Sequence, residues 1–257
     1  QTVALNSDVL VNIDLNQVFH LHNTTGQKIT VVYKKLPKEQ ISDVNSVLEI
    51  DESDKVLSHE LFQGGDKEAY NMSTDIFVVD TPYLIEKLEE EAAKEEPRKL
   101  RYVLRDLAVA ENGFAYEYTG YLSNIHSVKA YFDANLDMLE SEKFYKLFAP
   151  NQKVYTKVKN EEPTYYADSS EVKVSQFASG SIVRGKVEHS VVSRNVDLAE
   201  GSSVSYSVLF PRVTVGKGAT VEYAIVDKGV EIAEGVTIRG TENNPVVIKK
   251  GSVVTED

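Results

Sequence analysis

Asp8 is the first residue placed where a carboxylate could do chemistry. It follows Thr2-Val-Ala-Leu and Asn6-Ser7, a pattern that predicts a buried parallel strand with Asp8 at its carboxyl end. Ligand sites in open α/β sheets lie at such strand ends. The histidines offer less. His20 and His22 stand two apart on a predicted helix end and so lie on different faces, a poor metal pair. His59, His126 and His189 are isolated and read as structural. The chain contains no cysteine, which excludes disulfides and thiolate metal sites and suits a reducing compartment. Lys249-Lys250 and the run Glu89-Glu-Glu with Glu95-Glu96 read as solvated surface.

The elements that would position Asp8 alternate between strands and helices. Asp14 caps a predicted helix through His20, and Lys28 to Tyr33 is a second strand. Ser46 to Asp51 and Asp54 to Ser58 read as strands around an acidic turn. Ile76-Phe-Val-Val is a buried strand. Thr81-Pro82 reads as a cap with proline at the first helical position. The helix that follows carries Leu84, Ile85, Leu88 and Ala92 on one face, and Pro97 ends it. Lys99 to Val109 is helical, Ala115-Tyr-Glu-Tyr is a strand, and Val128 to Leu139 is a helix. This alternation predicts an α/β layer over residues 1–140. No period holds from Ser141 to Gln176, where Pro150-Asn151, Glu161-Glu-Pro163 and Asp168-Ser-Ser mark a linker.

Beyond Gln176 the chain repeats itself every 17 residues. The step links Val187, Val204, Val221 and Ile238, then Val192, Leu209 and Val226, and again Gly201, Gly218 and Gly235. Ser190, Ser207 and Ala224 keep it with small residues. Within a period an aliphatic residue returns after six, as in Leu198/Val204 and Val215/Val221. This is the signature of a left-handed parallel β-helix of hexapeptide repeats, here over residues 177–257. Arg194 and Arg212 project near its corners.

With a formal net charge of -12 over 257 residues, nucleic acids and anionic membranes are poor partners, while a local basic site for a small phosphorylated ligand is compatible. No apolar run approaches the roughly 18 residues that span a bilayer. These features predict a cytoplasmic protein. The chain starts at Gln1 directly on a strand, so a preceding segment is expected.

Several strings recur together in one order: Asn6-Ser7-Asp8; Met72-Ser73 before Ile76-Phe-Val-Val-Asp80; Gly120-Tyr121 leading into Ala130-Tyr131 and Ala134-Asn135-Leu136-Asp137; and Leu209-Phe210-Pro211 within the β-helix. In these the chain resembles the glucose-1-phosphate adenylyltransferase (ADP-glucose pyrophosphorylase) family, over essentially its whole length. It is most similar to the GlgD-type partner subunits of glycogen synthesis. The resemblance implies an α/β nucleotidyltransferase (Rossmann-like) domain, N-terminally incomplete here, ahead of the β-helix. It also implies a reaction: glucose 1-phosphate and ATP give ADP-glucose and pyrophosphate, with Mg2+ held by two aspartates. A glycine-rich loop that cradles the triphosphate would precede Gln1.

Carried over by residue, Asp8 matches the first metal aspartate. Asn124 stands where the second is expected, and Leu122, His126 and Ser127 replace other members of that segment. Ser73 matches a serine near the sugar, but Asp75 replaces a glycine. Arg105-Asp106 stand where the family has Lys-Asp. The sugar-phosphate lysine expected near Leu57 to Gln63 is missing, and Lys67 is the nearest downstream. Arg194 and Arg212 are candidate effector contacts.

The resemblance thus implies a regulatory or weakly active subunit. It would join a catalytic glucose-1-phosphate adenylyltransferase subunit in a hetero-oligomer, a tetramer, and sugar phosphates, ATP or ADP-glucose would be its ligands. The alternative is a working adenylyltransferase whose glycine-rich loop lies outside this sequence. A hexapeptide acyltransferase would need a catalytic histidine in the coils, where only His189 is found, and would leave the α/β layer unexplained.

Overall fold

The computed structural model describes residues 1–148 and 153–256. The chain divides into two compact units, Gln1–His126 and Ser127–Asp257.

In the first unit, β1 (Thr2–Ala4), β2 (Val9–Val11) and α1 (Leu15–Thr25) come first. They are followed by β3 (Ile29–Pro37), β4 (Ser46–Ile50), β5 (Val56–Leu61) and β6 (Ala69–Val79). Then come α2 (Thr81–Ala92), α3 (Leu100–Ala110), β7 (Phe114–Glu117) and β8 (Leu122–Asn124). The main sheet runs β5-β4-β6-β3-β7, with β1 also on β6. It is mixed: β3 pairs parallel with β7 and antiparallel with β6. Successive residues of β3 and β6 feed opposite faces. Val31, Phe77 and Val79 pack with Leu84, Leu104 and Ala108 on one side. Val32, Ile76 and Val78 pack with Val18 on the other. Covered on both faces, these strands read as continuous apolar runs.

Local differences from the sequence reading have identifiable causes. Thr2–Ala4 is half-buried and antiparallel to β6, not a buried parallel strand, because the carboxyl half of β6 offers one edge to β3 and the other to β1. Asp80, not Thr81, is the N-cap of α2, and it makes no side-chain capping bond. Thr81 Oγ1 instead lies 2.9 Å from Thr2 Oγ1. Leu84 is buried, but Ile85 and Leu88 are exposed. Glu91, read as solvated, is buried because Arg98 Nε and backbone N bond its carboxylate at 3.0 and 2.9 Å and Lys94 pairs with it as well. This clasp turns the chain after Ala92, ahead of Pro97.

The second unit opens with α4 (Val128–Leu136) and α5 (Ser141–Leu147), joined by a short 3-10 turn. Its main body is a parallel β-helix of three sheets. The expected columns pair in register: Val187, Val204, Val221 and Ile238; Val192, Leu209 and Val226; Leu198, Val215 and Ile232. Their side chains form one buried core. Each such valine or leucine contributes about 1.5–3 kcal/mol of burial. The small-residue column has a separate reason. Ser190 Oγ accepts from Ser207 N, and Ser207 Oγ accepts from Ala224 N, both at 3.1 Å, so each hydroxyl satisfies a buried corner amide of the next coil.

The expected boundaries, 1–140, a linker over 141–176, and 177–257, differ from those observed. Phe132 of α4 is buried against Val208 and Ile225, and Tyr131 stacks on Phe210, so this helix belongs with the β-helix. Coil pairing already begins at Tyr165–Tyr166, which run parallel to Ile182–Val183. The 17-residue step is broken there, since Val172 pairs with Val187 and Phe177 with Val192. That irregular step hides the first coil from a search at fixed period. Pro150-Asn151 lie outside the described residues.

Candidate functional site

Within the first unit a cleft of about 250 Å³ is lined by residues from four places in the chain. Asn6 and Asp8 come from the loop between β1 and β2, and Asn45 and Ser46 from the start of β4. Ser73, Thr74 and Asp75 come from β6, and Arg101 and Arg105 from α3. His126 lies on its exposed rim.

A β-bulge aims the β6 segment. Val32 pairs with Ile76 and Tyr33 with Ser73, leaving Thr74 and Asp75 without partners on β3. Bulges of this kind re-aim side chains beside functional sites. Thr74 Oγ1 donates to Val32 O at 2.8 Å and Ser73 Oγ accepts from Asp75 N at 3.2 Å, fixing the kink. Asp75 has φ +52°, a conformation that glycine adopts freely and aspartate tolerates better than most residues.

Arg105 is clasped by Asp75. Its Nε and one terminal nitrogen donate to the two carboxylate oxygens at 3.1 and 2.7 Å, with both side chains under 10% exposed. The cation expected to contact substrate is therefore neutralised within the protein. The aspartate that replaces the glycine and the arginine that replaces the lysine form one unit. Asp106 is engaged elsewhere, by Arg98 at 2.6 Å on an exposed surface.

Asn124 is buried and does not line the cleft. Its Nδ2 donates to Gln40 O at 2.9 Å and to Asn45 Oδ1 at 2.8 Å, while Asn45 Nδ2 returns a bond of 3.2 Å to its Oδ1. Asn45 Oδ1 also accepts from Ser42 N and Oγ at 3.0 Å each. A carboxylate at position 124 would face a carbonyl oxygen and an amide oxygen, so this network selects an amide. Asp8 remains open. Asn6 Nδ2 donates to it at 3.1 Å, and Asp8 O accepts from Ile125 N at 2.8 Å beside the antiparallel β2–β8 ribbon.

These residues do not fit a magnesium ion. The ion favours carboxylates together with phosphate oxygens. Here Asp75 is spent on Arg105, and Asn124 is neutral with its amide oxygen already bonded to Asn45. Among the described residues no group of three or more His, Asp or Glu side chains is placed to hold a metal.

Other candidates fall outside the cleft. Lys67 is exposed and paired to Glu49 at 2.8 Å. Arg194 lies 3.8 Å from Glu161, and Arg212 is exposed in the next coil, its N bonded to Arg194 O at 3.0 Å. His22 is buried between Thr30 and Asp80, and His189 stacks on Tyr206 with centroids 4.9 Å apart.

Two residues escaped the sequence reading. His59 packs behind the cleft, with Nε2 2.9 Å from Ser46 Oγ. Burial, and secondly the charge of Arg105, push its pKa down to about 3, so it is neutral at pH 7. Arg101 lies one helical turn before Arg105 and lines the same cleft, a spacing readable once α3 is placed. Its Nε is shielded from solvent and has no hydrogen-bond partner among the described residues.

A mixed α/β sheet with a polar cleft, followed in sequence by a parallel β-helix, defines a nucleotidyltransferase-like protein with a hexapeptide-repeat domain. The family described as GlmU-like, C-terminal hexapeptide, matches residues 159–255. The chain is 30% identical over 254 residues to the glycogen biosynthesis protein GlgD of Bacillus subtilis strain 168, covering 99% of this chain and 64% of that protein. It is 52% identical over 123 residues to GlgD of Geobacillus stearothermophilus, or 48% of this chain and 36% of that one. It is 25% identical over 206 residues to the glucose-1-phosphate adenylyltransferase of Thermosipho africanus, or 79% and 49%. The chain thus belongs to the glucose-1-phosphate adenylyltransferase family, on its GlgD side. It spans less than two thirds of the length of these relatives. No helix among the described residues is long and apolar enough to cross a membrane.

Proposed function

We propose that this chain is part of a GlgD-type subunit of glycogen synthesis that regulates a catalytic glucose-1-phosphate adenylyltransferase partner and contributes little or no synthesis itself. The observation that carries the reading is the Asp75–Arg105 pair. It removes from the cleft the cation that would meet a sugar phosphate. The locked Asn124 amide supports it. What is retained is shape: a capped, two-sided sheet and an aliphatic β-helix core kept in register. A subunit of this kind acts by biasing its partner's conformational equilibrium, a coupling of roughly 1–3 kcal/mol, or about 5–150-fold in affinity.

The test is to mix the purified full-length protein with a catalytic homologue, separate the mixture by size-exclusion chromatography, and measure kinetics on the joint peak. The reading expects a larger species whose turnover is raised or whose response to phosphorylated sugars is shifted. Separate elution with unchanged kinetics refutes it.

A further inference from the structure

The cleft of the first unit is poor in free charge but not empty of it. Arg105 is satisfied by Asp75, whereas Arg101 Nε, out of solvent, has no acceptor among the described residues. A guanidinium donor without an acceptor in such a place is costly, and buried donors of this type are rare unless a ligand completes them. Asp8 is exposed into the same cleft and can accept from hydroxyl groups. Ser73 Oγ accepts from the Asp75 amide and keeps its own proton to donate. The volume, about 250 Å³, is below the ~300–1,000 Å³ of drug-sized pockets, and suits one sugar ring with one phosphate.

We propose that this cleft binds a hexose monophosphate without a divalent cation, with Arg101 holding the phosphate and Asp8 accepting sugar hydroxyls. The inference rests on the reading above, that the cleft is no longer kept for metal-assisted transfer. It adds that the cleft still recognises a sugar phosphate, and names the residues that do so. Metal independence follows from the donor set: a phosphate normally bridged to carboxylates by magnesium meets a guanidinium directly, and a planar fork suits phosphate geometry.

The test is isothermal titration of the 257-residue chain with glucose 1-phosphate, once in EDTA and once in excess Mg2+. The same Kd is expected in both buffers, and plain glucose should bind at least about tenfold more weakly, since a charge-assisted bond is lost. Arg101→Gln should weaken glucose 1-phosphate by about tenfold or more. It should leave the melting temperature unchanged or slightly raised, because it removes an unsatisfied donor. Three results would each overturn the proposal: no binding in either buffer, binding only with Mg2+, or equal affinity of wild type and R101Q. The wild-type comparison of the two buffers stands even if the variant fails to fold. Absence of binding would leave the subunit-mixing result untouched, whereas Mg2+-dependent binding would count against both readings.

Discussion

Replacing Asp75 with alanine should destabilise the first unit more than any surface change. The substitution leaves the Arg105 guanidinium, 7% exposed, without its two acceptors. Breaking one partner of a buried ion pair costs about 3–5 kcal/mol. Position 75 is also left-handed at φ +52°, which alanine tolerates poorly. Asp75→Gly removes the same charge but relaxes the backbone, recovering about 1–2 kcal/mol. The order of melting temperatures should therefore be wild type, then D75G, then D75A. For a unit of this size 1 kcal/mol moves the transition by about 4 °C, so D75A should fall by roughly 12 °C or more. Arg105→Ala should fall comparably, and the D75A/R105A double variant should lose less than the sum, with a coupling of about 0.5–3 kcal/mol. The assay is thermal unfolding followed by circular dichroism. Additive losses, or D75A within 1 kcal/mol of wild type, would refute the claim that the two residues act as one unit.

Val215→Asp or Val221→Asp buries an unpaired carboxylate in the fully enclosed β-helix core, and either should abolish cooperative unfolding of that unit or shift its elution volume. Glu91 is held down to about 2, chiefly by Arg98 and then by Lys94, from its ordinary 4.5. The clasp therefore stabilises fully above pH 4.5 and fades as pH falls toward 2, so the melting-temperature gap between wild type and Glu91→Gln should close over that window and stay open at pH 7. His59 is held neutral, with its pKa lowered from 6.5 to about 3. The unfolded chain takes up that proton first, so stability should drop by about 1.4 kcal/mol per pH unit below 6.5, and His59→Phe should flatten this slope in denaturant titrations. A slope unchanged by the substitution would show that His59 is not the group responsible.

The β-helix was the most legible part of the chain because its core is one-dimensional. Each column repeats at a fixed step, so Val187, Val204, Val221 and Ile238 announce one another. Legibility ends where the step changes, at Val172 and Tyr165. In the α/β unit, strands buried on both faces were visible as apolar runs, but pairing direction was not: nothing in Thr2-Val-Ala specifies which edge of β6 it joins. At the cleft, Asp8, Ser73 and Arg105 are brought together as the family pattern implies. Two facts lay beyond one-dimensional reading. Asp75 reads as a repulsive addition until the bulge after Ser73 turns its carboxylate onto Arg105, thirty residues away. Asn124 reads as a lost metal ligand, yet its network shows an amide selected by Gln40 O and Asn45. Glu91 was misread for the same reason, because its partner Arg98 lies beyond the helix that carries it.

The account turns on whether the cleft performs metal-assisted transfer. Steady-state formation of ADP-glucose by the full-length protein alone, across a Mg2+ titration and beside a catalytic homologue, measures this directly. Turnover at least about a hundredfold below the homologue, and not rescued by Asn124→Asp, is the expected result, since positioning and charge terms act together. Mg2+-dependent turnover comparable to the homologue would contradict it.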